Sequence, residues 1–132
     1  MMLLVEDDEN DVFFLKRALQ KARLSLPMHV ATNGREALDY LQAVGKYSDR
    51  AVYPIPSLIF LDLKLPFVHG FEVLAWIRQQ PSLNHIPVAV LTSSPEQCDR
   101  EKAQSLGAKA FLVKPPNREM LLQLFQSLPD ST

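Results

Sequence analysis

Residues 58–66 of the chain read LIFLDLKLP, in which four apolar residues are followed at once by the carboxylate of Asp62. A run that is apolar at every position, without the alternation of a half-exposed strand, indicates a strand buried on both faces. Such strands are typical of a parallel sheet that is covered by helices on either side. The stretch therefore predicts a central strand at 58–61 whose carboxyl end carries Asp62.

Four other short runs are mostly apolar and are also predicted to be strands, at 2–5, 28–32, 87–91 and 109–113. Helical patterns lie between them, and the first begins with the acidic residues Asp8, Glu9 and Asp11, where the helix dipole favours negative charge. Asp8 is the expected N-cap of that helix. The second helix is expected to begin at Asn33 or Gly34, and the third to cover 71–79. The fourth should begin at Pro95 and end near 106–107, and the fifth should cover 117–128.

Five successive strand–helix units imply right-handed crossovers and a doubly wound α/β sandwich with the parallel strand order 2-1-3-4-5. Only the segment 45–57, GKYSDRAVYPIPS, breaks the regular spacing, and Pro54 and Pro56 exclude a regular helix there. It is either an elongated loop or a lengthened second helix followed by a loop. The length of 132 residues suits one domain over 1–132, with no output domain expected.

Composition narrows the classes of partner and compartment. The 14 basic and 15 acidic residues give a formal net charge of -1, and no run of Lys or Arg is present that would neutralise a row of phosphates. Nucleic acid is therefore not an expected partner. Cys98 is the only cysteine, and no apolar stretch has the length of a membrane helix or secretory signal, so we expect a cytoplasmic protein without membrane contact.

Acidic residues follow two strands that this topology makes neighbours. Glu6 and Asp7 come directly after the first strand, and Asp62 follows the third, at the switch point where open α/β sheets bind ligands. Carboxylates crowded together repel one another unless they share protons or bind a cation, and an all-oxygen site suits Mg²⁺. We expect Asp7 and Asp62 to bind the ion directly, Glu6 to bind through water, and the backbone carbonyl of Lys64 to complete the protein ligands.

The other two strand ends at this edge carry groups that suit a phosphate. Thr92 follows the fourth strand with a hydroxyl group, and Lys114 follows the fifth with an ammonium group. A carboxylate can attack a phosphoryl group when a metal ion and a positive side chain offset the charge on the phosphoryl oxygens. Asp62 stands alone at its strand end and is the candidate nucleophile.

Four motifs, one at each of these strand ends, resemble the receiver domain of bacterial two-component response regulators. They are LLVEDD at 3–8, LIFLDLKLP at 58–66 with Gly70, VLTSS at 90–94 and GAKAFLVKP at 107–115. The resemblance implies a CheY-like, flavodoxin-like three-layer sandwich in which a histidine kinase phosphorylates Asp62 in the presence of Mg²⁺. It further implies that Glu6 and Asp7 are the acidic pair, Thr92 the switch hydroxyl, Lys114 the phosphate contact and Phe111 the aromatic residue that reorients on phosphorylation.

A narrower resemblance concerns the elongated segment 45–57 followed by LDLKLP, which is similar to stand-alone receivers that serve phytochrome-type histidine kinases. It implies a homodimer through the face formed by helix 4, strand 5 and helix 5. Phe13 and Leu122 lie off the apolar stripes of their helices and are candidates for contact with a kinase or a second copy. The family also implies a cis peptide bond between Lys114 and Pro115, and an influence of Lys64 and Ser94 on the lifetime of the phosphoryl group.

Three other functions use part of the same pattern. A metal-dependent phosphohydrolase acting on a small phosphate ester would also use an aspartyl nucleophile, but it usually has an acid where Lys64 stands and a cap for its substrate. A nucleotide or flavin binder would offer Gly or Ser and backbone amides in the first loop, where this chain has Glu6, Asp7 and Asp8. A receiver-shaped interaction module that is never phosphorylated also fits the sequence.

Overall fold

The computed structural model of the chain describes residues 1–24, 26–65, 68–93 and 96–128. Its strands are β1 (Met2–Val5), β2 (Met28–Ala31), β3 (Leu58–Asp62), β4 (Val88–Thr92) and β5 (Ala110–Val113). Its helices are α1 (Glu9–Lys21), α2 (Gly34–Gln42), α3 (Gly70–Gln79), α4 (Gln97–Ser105) and α5 (Arg118–Gln126). Among these described residues, no helix combines the length and the apolar character that crossing a bilayer requires.

The strands form one parallel sheet in the order β2-β1-β3-β4-β5, which confirms the predicted topology. Val5 at the end of β1 pairs with Leu61 of β3, and Thr92 at the end of β4 pairs with Val113 of β5. Because parallel strands end at the same edge of a sheet, this register brings the residues that follow β1, β3, β4 and β5 to one rim.

Each face of the sheet has its own apolar core. On β3, Ile59 and Leu61 pack with residues of α2, α3 and α4, whereas Leu58 and Phe60 pack with residues of α1 and α5. The alternation follows from the two-residue repeat of a strand. Asp62 continues the row of Leu58 and Phe60, so its position faces the layer of α1 and α5.

Side-chain oxygens cap the N-termini of three helices, which begin close to where the sequence predicts. Asp8 caps α1 and accepts hydrogen bonds from the first-turn amides, and Asn33 and Asn117 cap α2 and α5 in the same way. The predicted start of α4 at Pro95 lies outside the described residues; α4 is described from Gln97. It ends at Ser105, two residues before Gly107, whose φ of 83° is the left-handed conformation common after a helix.

The segment 45–57 is a loop with one short 3₁₀ helix at Gly45–Tyr47. Because α2 ends at Gln42, the alternative of a lengthened second helix is wrong. The guanidinium of Arg50 fixes the loop: Nη1 donates to the carbonyls of Tyr40 (3.0 Å) and Tyr53 (3.1 Å), and Nη2 donates to the carbonyl of Leu41 (2.8 Å). Arg50 therefore adds hydrogen bonds to carbonyls in the last turn of α2, of which that of Tyr40 also accepts from the amide of Ala43, and it offsets the negative end of the helix dipole.

Glu36 of α2 joins the same loop to the end of β2. Its carboxylate accepts hydrogen bonds from the amide and hydroxyl of Thr32 and from the hydroxyl of Tyr47 at 3.0 Å, and it lies 3.6 Å from the ammonium of Lys46. These contacts hold the pKa of Glu36 below its ordinary value of 4.5. The hydrogen bond from the Thr32 hydroxyl is the largest cause, and Tyr47 and Lys46 contribute further.

We predict that Arg50→Ala lowers the free energy of unfolding in urea by about 2–3 kcal/mol, because hydrogen bonds from a charged group contribute about 1.5–3 kcal/mol each and do not add fully. Arg50→Lys keeps the charge but cannot reach three carbonyls, so it should recover only part of the loss. Arg35→Ala is the control: that side chain is 73% exposed and pairs with Asp39 at 3.6 Å, and its removal should cost less than about 0.5 kcal/mol. Equal stability of Arg50→Ala and the parent would contradict this function of Arg50.

A second prediction concerns pH. Because the pKa of Glu36 is lower in the folded protein than in the unfolded chain, its ionised carboxylate stabilises the fold above pH 4.5, and this contribution disappears as the pH falls through the folded-state pKa. Glu36→Gln should therefore be less stable than the parent at pH 7, with a difference that shrinks as the pH falls below 4.5. Glu72→Gln, at an exposed position, is the control for the loss of one carboxylate charge. A gap for Glu36→Gln that does not change with pH would refute the assignment.

Candidate functional site

Three carboxylates meet at the rim where β1 and β3 end. One oxygen from each of Glu6, Asp7 and Asp62 lies within 4.8 Å of the others. Glu6 is 2% exposed and Asp62 is 5% exposed, whereas Asp7 is on the surface. The cluster is thus closed on the side of the sheet and open to solvent at Asp7, as a small ion with water ligands requires.

Lys114, directly after β5, brings a positive charge to these acids. Its Nζ lies 2.6 Å from Oε1 of Glu6, 3.0 Å from Oδ2 of Asp11 and 3.3 Å from Oδ2 of Asp62. The Lys114 side chain is 12% exposed, so the ammonium is largely withdrawn from water. The peptide bond between Lys114 and Pro115 is cis, as the sequence resemblance implied.

Burial and neighbouring charges shift the proton affinities of this group. Burial raises the pKa of Glu6 to about 7, and the charge of Asp62 contributes in the same direction. The hydrogen bond from Lys114 acts in the opposite direction and lowers it. Burial works against the charged form of Lys114, but the hydrogen bonds to Glu6 and Asp11 and the charge of Asp62 outweigh it and hold the pKa of Lys114 above its ordinary value. The ammonium is therefore charged at neutral pH and remains as the fixed cation of the site.

The donor set fits a small divalent cation such as Mg²⁺. Every candidate side-chain ligand is a carboxylate oxygen, and the exposed Asp7 leaves room for water, which Mg²⁺ usually retains. Lys114 occupies Oε1 of Glu6 and lies beside Oδ2 of Asp62, and Oδ1 of Asp62 accepts a hydrogen bond from the amide of Lys64 at 3.3 Å. These contacts agree with an indirect role for Glu6.

Thr92 and Phe111, the two expected switch residues, belong to the β4–β5 side of the sheet. Thr92 ends β4 and is 2% exposed, one residue beyond the pair formed by Leu91 and Asp62. Phe111 lies on the edge strand β5, half-buried, with the guanidinium of Arg100 4.9 Å from its ring centre. Phe111 packs against the core under α2, α3 and α4, the face opposite to the row that contains Leu112 and leads to Lys114. Phe111 thus faces the layer of α2, α3 and α4.

Gly70 allows α3 to start directly against the backbone that carries Asp62. A Cβ atom at this position would lie 2.4 Å from the carbonyl oxygen of Asp62 and 2.7 Å from Cα of Leu63, which are backbone atoms that cannot yield cheaply. The amide of Gly70 also donates to the carbonyl of Leu63 at 2.9 Å. The glycine therefore fixes the path of the chain immediately after the candidate nucleophile.

Asp11 is a site residue that the sequence does not single out, because its place at the start of α1 is explained by the helix dipole alone. A signal was present. The two-residue repeat of β5 directs Lys114, two residues after Leu112, toward the layer of α1, and Asp11 lies in the first turn of that helix. Together these two positions indicate that Asp11 and Lys114 lie on the same side of the sheet.

Comparison with known proteins agrees with this geometry. The family model of the response regulator receiver domain matches residues 2–126. Response regulator Rcp1 of Synechocystis sp. is 35% identical over 128 residues, which cover 97% of this chain and 85% of Rcp1. The crystal structure of Rcp1 in its Mn²⁺-bound form superposes with a TM-score of 0.80 at 32% identity, covering 98% of both chains.

Two solved structures of phytochrome-related regulators are also similar. The bacteriophytochrome response regulator AtBRR is 42% identical with a TM-score of 0.83, covering 96% of this chain and 90% of its own. The phosphorylated cyanobacterial phytochrome response regulator RcpA is 35% identical with a TM-score of 0.78, covering 95% of this chain and 85% of its own. With the family model matching nearly the whole sequence, the chain belongs to the receiver domains of response regulators, the CheY-like proteins of two-component signal transduction.

Proposed function

We propose that this receiver domain accepts a phosphoryl group from a histidine kinase onto Asp62, with Mg²⁺ bound, and that phosphorylation changes its affinity for a partner. The observation that carries the proposal is the ammonium of Lys114 at 3.3 Å from Oδ2 of Asp62, next to an acidic cluster. A carboxylate that stands between a fixed cation and a candidate metal site is equipped to become an acyl phosphate. The phosphorylated form described for RcpA supports the same chemistry in a relative.

In the proposed reaction a carboxylate oxygen of Asp62 attacks the phosphorus of a phosphohistidine. The new O–P bond forms as the N–P bond breaks, and the imidazole leaves with the bonding electron pair and takes up a proton. Lys114 offsets charge on the phosphoryl oxygens, and Thr92 donates its hydroxyl to one of them once the group is attached. Bound Mg²⁺ supplies further positive charge beside those oxygens.

For the cation we propose Asp7 and Asp62 as direct ligands, with the backbone carbonyl of Lys64. Glu6 is assigned to a bound water because it is buried and its Oε1 lies 2.6 Å from the Lys114 ammonium. The Mn²⁺-bound form of Rcp1 supports a divalent ion in a relative. These residues would orient the carboxylate of Asp62 and keep water molecules in defined positions around it.

The partner that we propose is a phytochrome-type histidine kinase, on the strength of the relatives AtBRR and RcpA, which are described as phytochrome response regulators. Phe13 of α1 is 55% exposed and Phe14 is 50% exposed, so this helix has apolar surface to offer a kinase. Leu122 is half-buried in α5. Homodimer formation through α4, β5 and α5 remains a prediction from the family resemblance. The roles of Thr92 and Phe111 as switch residues remain predictions from the same source.

The first test is phosphorylation by acetyl phosphate in the presence of Mg²⁺, followed by mass spectrometry of the intact protein. We expect the mass to increase by one phosphoryl group, because Asp62 needs only a reactive phosphodonor. Asp62→Asn should show no increase, whereas Asp49→Asn, an exposed loop position, should behave as the parent. Addition of a phosphoryl group to Asp62→Asn at the parent rate would exclude Asp62 as the acceptor.

The second test is Mg²⁺ binding, measured by calorimetry. Asp7→Asn should weaken the affinity about tenfold or more, because it removes an expected direct ligand. Asp8→Asn is the matched control, since Asp8 is adjacent and exposed, caps α1, and can be replaced by Asn as a cap. It should weaken binding by less than about threefold through the loss of a nearby charge that water and salt screen. Equal affinities of Asp7→Asn and the parent would exclude Asp7 as a ligand.

A further inference from the structure

Lys114 has a third carboxylate partner that lies outside the acidic cluster. Asp11 Oδ2 accepts a hydrogen bond from Nζ of Lys114 at 3.0 Å, which is shorter than the 3.3 Å between Nζ and Asp62 Oδ2. Asp11 belongs to the first turn of α1, whereas Glu6 follows β1 and Asp62 ends β3. The ammonium group is thus held from separate elements of the fold.

We propose that Asp11 is a positioning residue, which acts on phosphorylation by holding the ammonium of Lys114 in place beside Asp62. This inference rests on the proposed function, because positioning Lys114 matters to the reaction only if Asp62 is the acceptor. It assigns to Asp11 neither a bond to the phosphoryl group nor a place among the metal ligands.

The number of N–H donors on Lys114 matches the number of carboxylates around it. An ammonium group has three N–H bonds, and Lys114 has three carboxylates within reach, at 2.6, 3.0 and 3.3 Å. The contacts to Glu6 and Asp11 are the two shortest, so they fix two of the donors. The third N–H bond remains for Asp62, whose Oδ2 lies 3.3 Å from Nζ, or for a phosphoryl oxygen attached there.

The flexibility of lysine makes such fixing useful. Four methylene groups joined by rotatable bonds connect the ammonium to the backbone, and holding it in one geometry costs conformational entropy. If Asp11 and Glu6 restrict the side chain before the phosphodonor arrives, this cost is not added to the barrier of the reaction. Glu6 alone leaves the ammonium able to turn about a single strong contact. Asp11 provides a second contact from a different element, the first turn of α1.

The position of Asp11 separates this role from metal binding. The carboxylate oxygens that lie within 4.8 Å of one another at this rim come from Glu6, Asp7 and Asp62, and Asp11 is not in that group. Its side chain is 33% exposed, and its contact in the site is with Lys114. Loss of Asp11 should therefore change the placement of the ammonium and leave the ion nearly unaffected.

The test compares Asp11→Ala, Asp11→Asn and the parent by their rates of phosphorylation over a range of acetyl phosphate concentrations with Mg²⁺. Asp11→Ala should lower the maximal rate about tenfold without changing the donor concentration for half the maximal rate, because Lys114 acts on charge in the transition state. Asp11→Asn keeps an oxygen acceptor and should stay within about threefold of the parent. Affinity for Mg²⁺ should change by less than about threefold in both variants.

Asp39→Ala is the matched control, since the Asp39 side chain is also 33% exposed and ion-paired on a helix, with Arg35 at 3.6 Å. It should have the parent rate. The proposal is overturned if Asp11→Ala matches the parent, or if Asp11→Ala and Asp11→Asn are both faster, since a gain in both would show that the charge of Asp11 repels the donor. A tenfold loss of Mg²⁺ affinity in Asp11→Ala would also overturn it, as Asp11 would then serve the ion.

A second measurement does not depend on phosphorylation. The ammonium protons of Lys114 should be protected from exchange with water in the parent and give an ¹H–¹⁵N NMR signal. That signal should be lost in Asp11→Ala and retained in Asp11→Asn. An undiminished signal in Asp11→Ala would overturn the positioning role. If the parent takes up no phosphoryl group, the proposed function fails, whereas the NMR signal still decides whether Asp11 holds Lys114.

Discussion

The arrangement of this protein's rim depends on one buried cation among carboxylates, the ammonium of Lys114 with Glu6 and Asp62. Each of the three groups would be costly to bury alone, and each is ionisable. Burial raises the pKa of Glu6, which disfavours its charged form. The pKa of Lys114 is also raised, by its carboxylate partners, and for an ammonium this favours the charged form. The group is therefore stable only as a set, which makes the charge balance of the rim sensitive to any added ion or phosphoryl group.

The sheet creates this set through two simple geometric facts. Parallel strands end together, so residues far apart in sequence meet at one edge, and side chains alternate between faces, so Glu6, Asp62 and Lys114 continue rows that face α1 and α5. Thr92 and Phe111 belong to the alternate rows, which face the layer that contains α4. The rim can thus act on two helical layers, with Asp11 on one side and Phe111 on the other.

Much of this was predictable from the sequence, because it depends on short-range patterns. The apolar run at 58–61 and its companions gave the strands, and the acids and Lys114 were found from their places at strand ends. Arg50 and Asp11 were not found. The partners of Arg50 are carbonyls of other segments, and a single polar residue in a loop carries no periodicity that shows whether it will meet them. The partner of Asp11 is supplied by another element, so it can be found only by combining the strand pattern of β5 with the position of α1. Asp11 was also a sufficient dipole partner for α1, so nothing local demanded a second role.

A crystal structure of the unphosphorylated protein grown with Mg²⁺ tests the central claim most directly. We predict one ion bound to the carboxylates of Asp7 and Asp62, with water completing its coordination, and Nζ of Lys114 still within hydrogen-bonding distance of Glu6. An ion bound elsewhere, or a Lys114 side chain that extends into solvent away from Glu6 and Asp62, would contradict the account.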